Sequence, residues 1–183
     1  MKDFLPFNKI AFSLGFLETT PVGSLMIAAS NDGLIYVNFC DLEEFEKKIL
    51  FRIGSFPPQS VKIVKDAVIQ VDEYFSGKRR CFDLPVDWRF HTPFSKEVLQ
   101  AAFELPFGSL CTYSELAERV GKPRAARAVG RALASNPIAL VVPCHRVVAK
   151  GGYLCGYSAP GGLATKAWLL RLEGHTVLEG RVI

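Results

Sequence analysis

Apolar residues gather in three short blocks near the start of the chain, 11–18 (AFSLGFLE), 24–29 (SLMIAA) and 34–40 (LIYVNFC). Turn chemistry divides them, first Thr20-Pro21-Val22-Gly23 and then Asn31-Asp32-Gly33. Short apolar blocks separated in this way predict strands in an antiparallel meander. Helical spacing follows over 42–51 and 60–75, the second pattern closed by Ser76-Gly77, and a short strand is expected over 82–88. The basic triplet Lys78-Arg79-Arg80 reads as a solvated turn, and this first part shows no cluster of reactive residues.

The character changes near His91-Thr92-Pro93. The pattern then predicts a helix over 94–104, two short helices, a strand running into Cys144, a glycine-rich loop and a last helix. A boundary at about 85–92 gives a small α/β domain over 1–88 and a mainly helical domain over 89–183. At 183 residues and 49% hydrophobic composition, the chain has enough apolar surface for one large core or two small ones. Runs such as Ile138–Val142 are too short to span a bilayer, and Met1–Pro6 lacks the apolar stretch of a signal peptide, so a cytoplasmic protein is expected.

Five cysteines (Cys40, Cys81, Cys111, Cys144, Cys155) include no CxxC pair, and the odd count leaves a free thiol. His91, His145 and His175 lack compact ligand spacing, so neither a structural metal nor a disulfide framework is expected. Charge is uneven: residues 1–91 carry 11 basic and 12 acidic side chains, residues 92–183 carry 11 and 6. A basic second half suits a polyanionic partner without requiring one.

Within that half, Thr112-Tyr113-Ser114-Glu115 has capping-box spacing, with Leu116, Ala117 and Val120 as the inner face of a short helix closed by Gly121. A second helix is predicted over 123–134, opened by Pro123. It places Ala125, Ala126, Val129, Ala132 and Leu133 on one side and Arg124, Arg127, Ala128 and Arg131 on the other. The arrangement fits either an ordinary amphipathic pair or a helix-turn-helix whose arginines meet phosphates.

Ser135-Asn136-Pro137 then leads to Val142-Pro143-Cys144-His145-Arg146-Val147-Val148. A thiol needs a neighbouring imidazole or positive charge to be nucleophilic at neutral pH, and His145 can supply it. Successive strand residues face opposite ways, so contact between Cys144 and His145 needs a bend, which Pro143 favours, or a bridging water. The alternative is a buried cysteine acting as a small hydrophobe. Gly151-Gly152 and Gly156–Gly162 match no phosphate-binding fingerprint. In the last helix Glu173 falls on the side of Lys166, Leu169 and Leu170, where a carboxylate needs a partner such as His145 or a salt bridge.

Together Tyr113, Ala125–Gly130, Asn136-Pro137, Pro143–Val147, Tyr157-Ser158, Gly161-Gly162-Leu163 and Glu173 resemble the O6-alkylguanine-DNA alkyltransferase family, densely over 93–175. Over 1–85 the resemblance is one of element order, consistent with the ribonuclease-H-like N-terminal domain of that family. It implies that Cys144 takes an alkyl group from guanine O6 in one in-line displacement and stays alkylated, so that one molecule repairs one lesion. It assigns His145 as a base acting through water and Glu173 as the residue that orients it. Arg127 would enter the base stack from the minor groove while Tyr113 crowds a phosphate, with Arg124 and Arg131 beside them on the DNA. Tyr113, Tyr157, Ser158 and the backbone at Cys144 and Val147 would hold the base, Tyr113 would protonate guanine N3, and Asn136 would tie the recognition helix to the active-site strand.

The implied partner is double-stranded DNA bearing O6-alkylguanine, bound by a monomer without cofactor, with O4-alkylthymine an open second substrate. The chain departs from the family pattern in lacking the N-terminal Cys/His set of zinc-binding members, in Ala139 where some members have proline, and in Ala159-Pro160 beyond the shortest loops. A non-catalytic alkyltransferase-like protein carries tryptophan where this chain has Cys144. A dimeric helix-turn-helix regulator would read sequence, and a cysteine hydrolase would turn over without DNA.

Overall fold

A computed structural model of the chain describes residues 12–45 and 61–183; predicted strand residue 11, helix residues 46–51 and residue 60 lie outside these. The chain divides into two compact units, one ending at Thr92 and the other spanning Pro93–Ile183.

In the first unit β1 (Ser13–Leu17), β2 (Leu25–Ala29) and β3 (Leu34–Phe39) form the expected antiparallel meander, in that order. Every residue of β2 is buried, which is why this central strand reads as an unbroken apolar run. One face meets α2 (Val61–Phe75), which packs against β1 and β2. Gly15 permits that approach, since a Cβ there would lie 2.5 Å from Val64 Cγ1. The other face holds Phe12, Met26, Ala28, Tyr36, Phe45 and Phe90, with Phe45 supplied by α1 (Leu42–Phe45).

The strand expected over 82–88 is reduced to a single parallel bridge between Leu34 and Val86. Pro85 has no N–H for a ladder. Asp87 instead caps the 3-10 turn Trp88–Phe90, accepting a hydrogen bond from the Arg89 amide at 3.2 Å.

The second unit packs α3 (Pro93–Phe103), α4 (Tyr113–Arg119) and α5 (Ala126–Ala134) against one another. The capping box opens α4 as its spacing predicts: Thr112 Oγ1 accepts from the Glu115 amide, and Glu115 Oε2 accepts from the Thr112 amide. Gly121, at φ 70°, ends that helix in the left-handed region. The start of α5 differs from the periodicity. Pro123 and Arg124 lie in a turn closed by the Ala125 amide on the Lys122 carbonyl at 2.8 Å, so the helix begins at Ala126. Val129, Ala132 and Leu133 form its buried face.

The strand expected to lead into Cys144 is instead a buried turn. The Val142 amide donates to Ile138 O at 2.9 Å, the Val141 amide to Ala139 O at 2.9 Å, and Leu140 adopts φ 69°. Asn136 holds the turn from both ends, its Nδ2 donating to Val142 O at 2.9 Å and its Oδ1 accepting from the Ile138 amide at 3.0 Å. These local bonds satisfy backbone groups that a strand would leave for a ladder.

Beyond the turn, β5 (Val147–Val148) pairs in parallel with β4 (Cys111–Thr112), setting Cys111 opposite Val147. That pairing brings the first residue of α4, Tyr113, alongside the Cys144 segment. The final helix, α6 (Leu163–Leu172), shares a core with Val148, Leu154, Val177 and Val182. A terminal hairpin, β6 (Val177–Leu178) and β7 (Arg181–Val182), closes the chain through Glu179-Gly180, both at positive φ.

Candidate active site

Cys144, His145 and Arg146 form one 3-10 turn. At about three residues per turn, successive side chains point in three directions. A strand would send Cys144 and Arg146 to one face, whereas the turn lets Cys144 meet a cavity while His145 and Arg146 both reach Glu173 at the end of α6.

The cluster is closed to solvent, His145 at 0% exposure and Cys144 at 7%. His145 Nε2 lies 2.9 Å from Glu173 Oε1, which also accepts from Arg146 Nη2 at 2.8 Å. The other carboxylate oxygen accepts from Arg146 Nε at 2.8 Å and from the Gly108 amide at 3.1 Å. Burial alone would raise the Glu173 pKa, but the hydrogen bonds from His145 and Arg146 outweigh it and hold the carboxyl well below the usual range. An ionised carboxylate only accepts, so Nε2 of His145 carries hydrogen. Its Nδ1 is buried and has no hydrogen-bond partner among the described residues.

Burial pushes the Cys144 thiol above its ordinary value, only partly opposed by the Asn136 side chain and the Lys166 charge. Burial also lowers the His145 pKa, against the pull of Glu173 and with the help of Arg146 and Lys166. Lys166 is itself buried, and its Nζ donates to Val147 O at 2.6 Å and Cys155 O at 3.3 Å. Burial lowers its pKa, while Cys144 and Cys155 act in the opposite sense. The Tyr113 hydroxyl donates to the same Cys155 carbonyl at 3.1 Å, and burial raises its pKa, which keeps the phenol protonated.

Cys144 lines a cavity of about 230 Å³ together with Tyr113, Gly130, Leu133, Ala134, Gly156, Tyr157 and Ser158. The predicted residues Tyr113, Cys144, Tyr157 and Ser158 thus meet at one opening. Val147 and Asn136 are not among its lining residues: the Val147 carbonyl is taken by Lys166, and Asn136 ties the preceding turn. Arg127 and Arg131 are exposed on α5 in the same helical stripe as Gly130 and Ala134, so the basic face borders the cavity. Arg124 is exposed in the turn before the helix.

Arg146 is the site residue to which the sequence pattern assigned no role. Its signal was a lone guanidinium inside the apolar run Val142–Val148, which requires a carboxylate when buried. Among the described residues no group of His, Cys, Asp and Glu is arranged to hold a metal ion.

The ribonuclease-like domain of 6-O-methylguanine DNA methyltransferase matches residues 16–88, and the DNA binding domain of the same protein matches 93–175. The methylated-DNA–protein-cysteine methyltransferase of Methanosarcina acetivorans is 39% identical over 85% of this chain and 94% of its own. That of Mycobacterium leprae is 41% identical, over 87% of this chain and 91% of its own. The crystal structure of Mycobacterium tuberculosis OGT in complex with DNA is similar at a TM-score of 0.73 and 36% identity, covering 87% of this chain and 91% of that one. With an α/β ribonuclease-like N-terminal part, a DNA-binding helical part and relatives matched over most of its length, this chain belongs to the 6-O-methylguanine DNA methyltransferase family.

Proposed function

We propose that the protein repairs double-stranded DNA by moving the alkyl group of O6-alkylguanine onto Cys144, once per molecule. The observation that carries this reading is a buried thiol at the wall of a cavity, backed by a buried imidazole that is hydrogen-bonded to a carboxylate. A cavity of about 230 Å³ holds one base rather than a base pair, so the damaged nucleotide leaves the stack before reaction.

Thiol and imidazole both rest neutral, so the nucleophile forms by proton transfer when substrate arrives. The Cys144 proton passes through a bridging water to Nδ1 of His145, the imidazole nitrogen not engaged with Glu173. Sγ then attacks the alkyl carbon in line; the S–C bond forms as the C–O6 bond breaks, and the electron pair leaves on guanine. Tyr113, still protonated at neutral pH, gives its proton to guanine N3, and the proton held by His145 balances that loss. The thioether has no leaving group that would restore the thiol, so the reaction stops after one cycle.

Ser158 and Tyr157 line the pocket beside Tyr113 and Cys144 and hold the base there. Arg127 fills the space vacated in the stack from the minor groove, while Arg124 and Arg131 contact phosphates. The protein acts as a cytoplasmic monomer and needs no cofactor. Incubation with duplex DNA carrying a labelled O6-methyl group tests the reading: the label should appear in the Cys144 peptide and vanish in Cys144→Ser. Label on Cys111 or Cys155, or release of a free methylated product, contradicts it.

A further inference from the structure

The carboxylate behind His145 is shared, and the sharing residue is a cation. Glu173 Oε1 accepts from both His145 Nε2 and Arg146 Nη2, and Oε2 accepts from Arg146 Nε. Arg146 is fixed on its far side as well, through Nη1 to the Leu105 carbonyl. The guanidinium therefore grips both oxygens in a buried fork, a geometry that lysine does not reproduce.

Charges counted inside this closed volume favour one state of His145. The groups facing the ring are Cys144 and Arg146 from its own turn and Lys166 and Glu173 from α6 and its end, with Tyr113 of α4 beside Cys144. With His145 neutral, two buried cations, Arg146 and Lys166, already stand against Glu173. A protonated His145 would set three buried cations, His145, Arg146 and Lys166, against the single carboxylate of Glu173. Without Arg146 one opposing cation is gone and an imidazolium pairs with Glu173 against Lys166 alone, so His145 gains its proton at higher pH and Nδ1 is lost as a base sooner.

We propose that Arg146 is a positioning residue that acts through Glu173, holding His145 as the neutral tautomer with hydrogen on Nε2 and Nδ1 bare to receive the Cys144 proton. The proposal rests on the assignment of Cys144 as the nucleophile. It makes Arg146 a determinant of the pH range of repair, besides its contribution to packing. The direction of the His145 shift agrees, since Arg146 and Lys166 both add to the effect of burial.

The test is the single-turnover rate of methyl transfer from duplex DNA as a function of pH, for the unmodified protein, Arg146→Met and Arg146→Lys. In Arg146→Met the acid limb should move to higher pH by about 1–3 units, the effect of removing a neighbouring cation. In Arg146→Lys the charge remains and the fork is lost, so the rate should fall at every pH while the limb stays in place. A role confined to packing would lower the rate in both variants without moving either limb, and that result overturns the proposal. Should Arg146→Met fail to fold, 15N spectra of the histidine rings of the unmodified protein decide. At about pH 6, where an ordinary histidine is largely charged, His145 should show hydrogen on Nε2 alone. A doubly protonated ring there refutes the assignment to Arg146. Absence of methyl transfer by the unmodified protein would count instead against the function of Cys144, leaving the ring spectra to judge Arg146.

Discussion

Burial sets the resting charge of Cys144 and His145, raising the pKa of the thiol and lowering that of the imidazole. The same shifts make stability depend on pH in a definite direction. A group with a depressed folded pKa leaves the unfolded chain to bind its proton first, so its contribution is whole above the unfolded pKa and is lost as pH falls. For His145 the loss begins below about pH 6.5, and for Glu173 below about pH 4.3. The thermal midpoint should therefore fall as pH is lowered from about 7 to about 4, and a midpoint that rises over this interval contradicts the buried neutral His145. Glu173→Gln removes the counter-charge of a buried Arg146, a change that typically costs about 3–5 kcal/mol. Denaturant unfolding should show that loss, and single-turnover transfer should slow with it. A variant as stable as the unmodified protein would mean that Arg146 is solvated.

Between residue and fold lies the tie made by Asn136, which joins the end of α5 to the turn that delivers Cys144. Cys144 is 7% exposed and borders the cavity on one side only, and a methyl group held against the turn rather than in the cavity overpacks a core position at about 1–3 kcal/mol. Protein methylated on Cys144 should accordingly melt below the unmodified protein when both are free of DNA, and an equal or higher midpoint would show that the cavity accommodates its product. The elements that frame this tie were unequally legible. The capping box of α4 and the three-strand meander rest on local chemistry and appear where their residues stand. The turn at 138–142 reads as a strand in the sequence because all five residues are buried, and burial on every side erases the periodicity that separates a turn from a central strand. Pro123 suits a first helical turn, yet a local hydrogen bond to Lys122 O delays α5 to Ala126. The terminal hairpin has a signal, Glu179-Gly180 between Val177-Leu178 and Arg181-Val182, although Glu at a positive φ is an unusual first turn residue. The His145 to Glu173 bond was legible as a carboxylate in need of a partner, whereas the Arg146 fork depends on a 3-10 turn that spacing does not encode.

For the molecule as a whole, surplus positive charge and the cavity beside Cys144 reside in the same unit, 11 basic against 6 acidic residues beyond position 91. The exposed arginines of α5 run past the cavity that Cys144 lines, so under the proposed function one surface both meets the polyanion and presents the thiol. Extrusion of a base from duplex DNA costs a few kcal/mol, and only the duplex reaction needs it. Arg127→Ala should therefore slow repair of duplex DNA far more than alkylation by a free O6-substituted guanine, and equal losses with the two substrates would remove Arg127 from base extrusion. The reaction proposed for Cys144 is a single irreversible transfer to one buried thiol. Intact mass spectrometry after incubation with excess O6-methylguanine duplex reads it out: the protein should become heavier by one methyl group, with an equal amount of DNA repaired and no change in Cys144→Ser. Unmodified protein accompanied by repaired DNA, or more lesions repaired than protein molecules present, would contradict it.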